Sequence, residues 1–476
     1  MFFGSLAPMV CRAQKQATFV EVQKAAEAGD AKAQVALAAK YVSGEEVNQD
    51  YQQAASWFRL AAEQGNAEAQ FNLGVLYAKG EGLPQSDRQT ARWYRKAAEQ
   101  GVLEAEYDLG ILLLKSGPGP DQAEAVSWFR KAADAGLAKA CVQLGIMYAA
   151  GLGLPRDTKQ AFIWYSKAAD QGSASAETYL AMLYALGDGT TQDLEQASFW
   201  LHKAADQNYP DAQYNIGVIY EKGIGVARNP VEAAKWFRLA ADQGFSAAQY
   251  NLGRLYLQGD GLVQDVAQAA SLFAKSAEQG NAYAEFHLGL LYELGQGVGK
   301  DTRQAAGWYQ KSADQGVAHA QNGLGLLYAE GDGVPQDFAQ AVAWFRKAAD
   351  QGFADGQFNL GVSYMSGNGV AKDLVEAARW YRKAADQGYA DAEYNLGEAY
   401  MSGEGVLKDQ KQATLWFRKA AEQGHDKAEE ELGEAYAEGS GVTRDLQEAA
   451  SWYRKAAAQG NKEAEHNLSL LQPANQ

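Results

Sequence analysis

The chain alternates between two short amphipathic stripes, each with apolar residues at the spacing of one helical face. A glycine-containing turn separates the stripes, as at Gly80-Glu81-Gly82, and a glycine closes the second stripe. The segment 65–100 shows both: the first stripe is Ala69, Leu73, Leu76 and Tyr77, and the second is Ala91, Trp93, Tyr94, Ala97 and Ala98. The pattern therefore predicts a pair of helices joined by a tight turn.

This helix pair returns at a fixed period. Its marker is the glycine, once an asparagine, that closes each second stripe: Gly29, Gly65, Gly101, Gly136, Gly172, Asn208, Gly244, Gly280, Gly316, Gly352, Gly388, Gly424 and Gly460. Successive markers are 36 residues apart, except for one interval of 35 residues. Such a period predicts an all-α stacked array of about twelve repeats, and one solenoid over residues 18–471 rather than several globular domains. An array presents a long surface instead of one pocket, so binding is favoured over catalysis.

Polar residues recur at the start of each second helix. Asp, Ser or Asn is followed three residues later by Gln or Glu, a capping-box pattern that satisfies free amides at a helix start. The predicted cap residues are Asp50, Ser86, Asp121, Asp157, Asp193, Asn229, Asp265, Asp301, Asp337, Asp373, Asp409 and Asp445. A structural role is therefore expected for these aspartates, rather than acid–base catalysis.

Two further periodic positions predict the core. All eleven tryptophans lie eight residues before a marker, and Leu272 takes the twelfth place, so the tryptophan stripe is interpreted as core rather than as a ligand platform. Nine residues after most markers stands a mid-helix glycine, which costs about 1 kcal/mol against alanine. We expect a ring from a neighbouring helix, Trp or Tyr, to pack against that glycine backbone.

These motifs resemble the Sel-one-like repeat family, a relative of the tetratricopeptide repeats. The resemblance rests on the phrase at residues 69–77, on Gly80-Glu81-Gly82 and on residues 91–101, and it covers nearly the whole chain in twelve copies. It implies a right-handed superhelix of antiparallel helix pairs, and a scaffold or adaptor role in protein complexes. On this interpretation residues 1–17 are an N-terminal tail or the remnant of a signal segment, and residues 472–476 are a C-terminal tail.

The resemblance also supplies a rival function. A cysteine-rich bacterial branch of the family is associated with β-lactamase or penicillin-binding activity, and its signature is a pair of cysteines in each repeat. This chain has only Cys11 and Cys141, and it contains no Ser-x-x-Lys nucleophile motif. The enzyme interpretation is therefore disfavoured, and no catalytic residue, metal ligand or cofactor is expected.

The composition of the chain favours some classes of binding partner over others. The net charge is −16, from 59 acidic and 43 basic residues, which disfavours a nucleic acid and suits a protein or peptide partner. No run of 18 apolar residues predicts a membrane span, and a monomer is expected. The compartment stays open: Phe2 to Ala13 would indicate export if it is a truncated signal segment, although no basic residue precedes it, and otherwise the protein is expected in the cytoplasm.

Variable polar and aromatic positions on the first helices are the candidate binding surface. They lie six, seven and ten residues after a marker, and in related arrays this helix lines the concave side. The candidate partner-binding residues are Asn72, Tyr107, Tyr214, Asn215, Tyr250, Asn251, Arg254, Asn359, Tyr394, Asn395, Glu398, Glu430 and Glu434. Asparagine amides can hold an extended peptide backbone, but each can instead bond a neighbouring group inside the array.

Glutamates and histidines of the chain also need an interpretation. Glu430, Glu434 and Glu438 are four residues apart and share a helical face, so the C-terminal repeats either accept a basic segment or form a solvated end face. The five histidines fall at different repeat positions and show no metal-ligand spacing, which is typical of unrelated surface residues.

Overall fold

The computed structural model describes residues 18–115, 117 and 119–471. Within these residues all regular structure is helical: 26 helices follow one another in pairs, and no strand occurs. The predicted all-α repeat array is therefore confirmed. The predicted tails, residues 1–17 and 472–476, lie outside the described residues.

The chain divides into two compact units, one ending at Arg228 and one beginning at Asn229. The prediction of a single array over residues 18–471 stays a prediction. The first unit contains α1 (Phe19–Glu27), α2 (Ala31–Ser43), α3 (Tyr51–Glu63), α4 (Ala67–Lys79), α5 (Asp87–Ala98), α6 (Leu103–Lys115), α7 (Pro120–Asp134), α8 (Ala138–Ala150), α9 (Thr158–Ala169), α10 (Ala174–Leu186), α11 (Leu194–Asp206) and α12 (Pro210–Lys222).

The second unit continues the same alternation of helices. It contains α13 (Pro230–Asp242), α14 (Ser246–Gln258), α15 (Val266–Ala277), α16 (Ala282–Leu294), α17 (Thr302–Asp314), α18 (Ala318–Glu330), α19 (Phe338–Asp350), α20 (Ala354–Ser366), α21 (Leu374–Ala385), α22 (Ala390–Ser402), α23 (Gln410–Glu422), α24 (Asp426–Glu438), α25 (Leu446–Ala458) and α26 (Lys462–Leu471). From α2 onward, even-numbered helices are the first helices of the repeats.

The helices of a pair run antiparallel, as α4 and α5 show. The Ser86 amide, just before α5, donates to the Tyr77 carbonyl near the end of α4, while Gly74 lies against Tyr94 in the middle of α5. Gly80 ends α4 in the left-handed conformation, with φ of 73°. Gly82 follows because a side chain there would overlap the Tyr51 carbonyl at the start of α3. The turn therefore also packs against the preceding repeat.

The predicted helix caps are confirmed at eleven of the twelve positions, where the cap side chain accepts an amide of the first turn. The prediction at Asp121 is wrong, because α7 begins one residue earlier, at Pro120, after Gly119. The return bond of the capping box forms between Thr18 and Glu21. At ten of the later caps the cap amide instead donates to a tyrosine carbonyl nine residues earlier, as Ser86 does.

An aromatic ring packs on the mid-helix glycine in nine repeats, as predicted. A methyl group placed on it would lie 2.3–2.9 Å from the ring of the following second helix at Gly74, Gly110, Gly145, Gly253, Gly289, Gly325, Gly361, Gly397 and Gly433. The ring belongs to the Phe or Tyr that follows the tryptophan, or that follows Leu272 in the case of Phe273, and not to the tryptophan itself. These rings are almost fully buried; Tyr94, for example, is 1% exposed. The second helix thus approaches the first at a distance that only glycine permits.

The repeat formed by α10 and α11 departs from this rule on both sides of the contact. Leu201 replaces the ring, and Ala181 replaces the glycine that would face it. Both side chains are buried, at 4% and 1% exposure. A smaller side chain on one helix is therefore matched by a larger one on the other, which keeps the interface filled.

The tryptophan stripe forms the edge of the core rather than its centre. Six of the eleven indoles are buried and five are half-buried. A lysine three residues later places its Nζ 3.6–4.6 Å from the ring centroid at Trp93, Trp128, Trp164, Trp200, Trp308, Trp344, Trp380, Trp416 and Trp452. These lysines cover the outer indole faces through cation–π contacts.

A buried polar ladder, absent from the sequence analysis, joins consecutive repeats. Gln70 on α4 donates to the Ala62 carbonyl at 3.1 Å and accepts from Gln100, thirty residues later, at 2.8 Å. The same interaction between the first-helix residue and the following Gln recurs in both units. In several repeats the inner residue is Glu, and burial raises the pKa of Glu285, Glu393 and Glu429. A lysine acts in the opposite direction on each of the three.

The contact between glycine and ring generates a stability prediction. Gly361→Ala places a methyl group 2.7 Å from the Tyr381 ring, so we expect a loss of about 1–2 kcal/mol in the free energy of unfolding. Adding Tyr381→Leu should recover part of this loss, because it recreates the Ala181 and Leu201 pairing. The measurement is urea denaturation followed by circular dichroism.

The matched control is Gly307→Ala. Gly307 is also inside a helix, but a methyl group there meets nothing within 4 Å. We expect this change to stabilise the protein by up to about 1 kcal/mol through helix propensity. Equal effects of the two alanines would contradict the packing argument.

Candidate protein-interaction surface

The first-helix face consists of the residues six, seven and ten positions after each marker, on α2 and the later even-numbered helices. The thirteen predicted residues all belong to it. Ten of them are half-buried, Glu398 and Glu434 are exposed, and Glu430 is buried at 8% exposure. The face is thus made of side chains held partly inside the array, with their remaining surface accessible.

The tyrosines of this face rest on the buried rings of the second helices. Ring centroids lie 5.6 Å apart for Tyr107 and Phe129 and 5.9 Å apart for Tyr394 and Phe417. Tyr250 packs on Phe273 at the same distance as the latter pair, 5.9 Å. Because these contacts fix each tyrosine, its exposed edge is presented without much conformational entropy to lose on binding.

The asparagines of this face differ in their partners. Asn359 donates to the Asn322 Oδ1 atom at 2.9 Å, so at this point the amides bond each other inside the array. Asn395 hydrogen-bonds the Tyr381 hydroxyl, and Asn251 also has an interaction partner. Asn72 is half-buried and has no hydrogen-bond partner among the described residues. Binding of a peptide by these asparagine amides therefore remains a prediction. Asn72 is the asparagine whose amide is most available for it.

The structure brings histidines into this face, where the sequence analysis interpreted them as unrelated surface residues. His287 stacks on Phe273 at 5.1 Å and contacts Phe286 and Tyr250. Burial, with Arg254 and then His319 nearby, lowers the pKa of His287 to about 4. Its buried Nδ1 atom has no hydrogen-bond partner among the described residues. The signal in the sequence was its place seven residues after a marker, the place that asparagine takes elsewhere.

His425 has a different local role. It caps α24 by accepting the Ala428 amide, and its ring stacks on Tyr394 at 4.8 Å. Its Nε2 atom lies 3.3 Å from an Asp391 carboxylate oxygen. This histidine is therefore a second ring, after Phe417, that packs against Tyr394.

A cavity of about 310 Å³ lies at this face in the second unit; we call it the tyrosine cavity. Three predicted residues, Tyr394, Asn395 and Glu398, line it, together with Met365, Leu374, Ala377, Ala378, Tyr381, Ala399, Ser402 and Glu404. Its volume is at the lower end of the range of small-ligand pockets, about 300–1,000 Å³. The wall combines aromatic rings, one amide and two carboxylates, which is suited to a polar or cationic side chain.

The equivalent position in the first unit holds a more apolar cavity of about 200 Å³. Asn215 lines it, and Leu201 takes the place that Tyr381 has in the tyrosine cavity. Its rim includes Met182, Leu194, Ile224 and Val226, which are 40–46% exposed. The same structural position thus has a different chemistry in each unit.

Carboxylates gather on the last first helices in what we call the acidic groove: Glu398, Glu430, Glu431, Glu434 and Glu463. Burial, followed by Glu398, Glu430, Glu434 and Glu463, raises the pKa of Glu431 to about 8. Burial also raises the pKa of Glu430. A solvated end face does not describe Glu430, which is more than nine-tenths buried.

Asp108 occupies the same repeat position as His287 and Glu431. It is 6% exposed, and burial raises its pKa to about 6, against the effect of Lys139. The Lys139 Nζ atom lies 4.3 Å from the Tyr107 ring centroid. Sequence analysis missed this buried acid because it considered position seven only where asparagine stands.

The described part of the chain meets the requirements of neither a metal site nor a membrane-spanning helix. No group of three or more His, Cys, Asp or Glu residues there is placed to bind a metal ion. No helix among the described residues has the length and apolar content needed to cross a bilayer.

This architecture defines a helical-repeat protein. The family model for the Sel1 repeat matches twelve consecutive segments that together run from residue 31 to residue 461. The chain therefore belongs to the Sel1 repeat family, for which a protein-binding role is typical and whose members are generally non-catalytic scaffolds. No curated protein matches the chain.

Two solved structures show the extent of the similarity. A protective antigen present in uropathogenic Escherichia coli strains, displaying an SLR fold, is 37% identical over 96% of this chain and 90% of its own, with a TM-score of 0.71. A Sel1 repeat protein from Oxalobacter formigenes is 35% identical over 64% of this chain and 90% of its own, with a TM-score of 0.49. The family resemblance predicted from the repeated phrase is confirmed.

Glu431 generates a pH prediction. Its folded-state pKa of about 8 lies above the ordinary value of 4.5, so the folded protein binds more protons between these values, and this residue's contribution to stability falls as the pH rises through that window. Glu431→Gln should therefore gain stability over the wild type between pH 4 and pH 8, by roughly 1–2 kcal/mol after allowance for partial exposure.

Urea midpoints of both proteins, measured across that pH range, give the difference. The groups facing Glu431 are carboxylates and tyrosines: Tyr394 and Glu398 on α22, Glu430 and Glu434 on α24, Tyr453 on α25 and Glu463 on α26. Glu99→Gln, a change of the same charge at an exposed position on another helix pair, is the control. A pH-independent difference for Glu431→Gln would contradict the prediction.

Proposed function

We propose that this protein is a non-catalytic scaffold that binds a protein partner along the first-helix face. The observation that carries the proposal is the tyrosine cavity, because three residues selected from sequence for partner binding line one recess. An extended peptide following the face would meet Tyr250 and Asn251 in one repeat and Tyr394 and Asn395 in a later one. Main-chain amides of such a peptide are suitable partners for the asparagine side chains.

The distribution of chemistry along the face supports a protein partner over a small molecule. The middle repeats present Tyr250, Tyr283 and His287 in ring contact, with centroids 5.8–6.2 Å from Tyr250. The last repeats present carboxylates. A single small ligand reaches only one of these zones, whereas a polypeptide can contact both at the same time. Both zones belong to the second unit, where the same repeat positions recur on successive first helices.

A non-catalytic role is also part of the proposal. Substitution of the partner-binding residues should weaken binding of the partner. The purified chain should show no enzymatic activity with or without these substitutions. Nitrocefin hydrolysis by the purified chain is the sharpest contrary result, because it would indicate the β-lactamase-like activity of the cysteine-rich branch of the family.

Site-specific photocross-linking tests the binding face. p-Benzoylphenylalanine in place of Tyr250 or Tyr394 should cross-link a distinct partner in cells that produce the protein. The same probe in place of Leu415, which is 46% exposed on the second helix α23, is the control. Cross-links from Leu415 alone would place the interaction on the other face and contradict the proposal.

Substitution of two asparagines distinguishes an effect on partner binding from an effect on stability. Asn359→Ala removes the bond to Asn322, so we expect a loss of about 1 kcal/mol in unfolding free energy. Asn72→Ala removes no such bond among the described residues, so it should leave stability within about 0.5 kcal/mol and weaken only partner binding. Urea denaturation and the affinity for the cross-linked partner are the two measurements; a large stability loss for Asn72→Ala would make its role structural.

A further inference from the structure

We propose that the acidic groove, together with the tyrosine cavity beside it, is a docking site for a lysine- or arginine-bearing segment of a partner protein. This inference rests on the proposed scaffold function and names the chemistry of the partner. The two features share Glu398, which lines the cavity and belongs to the groove. A cationic side chain in the cavity would therefore lie next to the start of the carboxylate row.

The first argument is that no basic group among the described residues acts on Glu430 or Glu431. Every charged group that acts on Glu430 is another carboxylate: Glu463, Glu434, Glu398 and Asp426. The charged groups acting on Glu431 are likewise only carboxylates. Elsewhere in the second unit, buried glutamates are compensated, since Lys311 acts on Glu285, Lys419 on Glu393 and Lys455 on Glu429. The array thus has a regular way of pairing its carboxylates, and the groove departs from it.

The second argument is the state of Glu430. It is more than nine-tenths buried, and none of the described residues gives it a hydrogen bond or an ion pair. The charged groups that act on the Glu430 carboxylate include Glu463, Glu434 and Glu398 of the groove. A carboxylate that loses its hydration without gaining a donor is unfavourable in the free protein. An incoming ammonium or guanidinium group supplies the missing donor and the missing charge together.

The third argument concerns the size of the occupant. The groove carboxylates come from α22, α24 and α26, and among the described residues no set of three is placed to hold one metal ion. Successive cationic side chains of one polypeptide can instead reach carboxylates on different repeats. Tyr394 lines the cavity, and burial followed by Glu398, Glu431 and Glu430 raises the pKa of its hydroxyl, so this residue links the cavity to the groove. A basic peptide therefore fits both the spacing and the chemistry.

The test compares two charge-matched variants of the full chain. The groove variant carries Glu398→Gln, Glu430→Gln and Glu431→Gln. The control variant carries Glu45→Gln, Glu63→Gln and Glu99→Gln, at three exposed positions of the first unit. Both variants replace three carboxyl groups by amides, and binding is compared at about pH 9, above the pKa of Glu431, so that general attraction of the acidic protein for a cation is matched in the two. Circular dichroism confirms that each variant is folded.

The probe is a short fluorescein-labelled peptide of alternating arginine and serine, with lysine–serine and glutamate–serine peptides of the same length alongside. At about 0.15 M salt, fluorescence anisotropy should show saturable binding of the basic peptides to the wild type and the control variant. We expect the groove variant to bind at least about tenfold more weakly. No binding of either basic peptide, or equal weakening in both variants, overturns the inference.

The result is separable from the scaffold proposal. A partner cross-linked through Tyr250, in a protein that binds neither basic peptide, would retain the scaffold function and refute the basic docking segment. Loss of the Tyr394 cross-link to that partner in the groove variant, but not in the control variant, supports the inference.

Discussion

The structure depends on one contact, the packing of an aromatic ring directly on a helix backbone at glycine. This contact sets the distance between the two helices of each pair, and it recurs at nine described glycines from Gly74 to Gly433. The ring contributes a large buried apolar area, and glycine removes the only atom that would obstruct it. The polar bonds of the array, such as the one between Gln70 and Gln100, then form between elements whose separation is already fixed. Repetition of one local solution explains how a long chain folds without a single central core.

The first-helix face lies beside that contact, because tyrosines such as Tyr107 and Tyr394 rest on the same buried rings. Position six carries tyrosine at Tyr250 but a buried glutamate at Glu430, although the adjoining glycine–ring contacts are alike. The repeats can therefore differ in the side chains they present while keeping one architecture. The acidic groove is the extreme case, since it places several uncompensated charges on the same scaffold.

The fold could be predicted from sequence because its causes are local and repeated. A period of 36 residues, cap residues such as Asp50 and the mid-helix glycines each specify a neighbouring element. The failures are equally physical. At the 35-residue repeat the helix begins at Pro120 instead of after Asp121, and the capping box lost its return bond because tyrosine carbonyls take the cap amide. The buried state of Glu430 and the ring contacts of His287 depend on residues one repeat away, which a pattern within one helix does not reveal.

The lysines that lie over the tryptophan rings have a consequence for the outer flank of the array. Within each unit, the indoles of successive second helices would otherwise form an apolar edge suited to lateral association between molecules. An ammonium group over nine of them turns that edge into a hydrated, cationic row. Trp57 has no lysine at this place, because Leu60, which is 46% exposed, stands three residues later. The lysine rows therefore limit the apolar surface that the tryptophans present to other molecules.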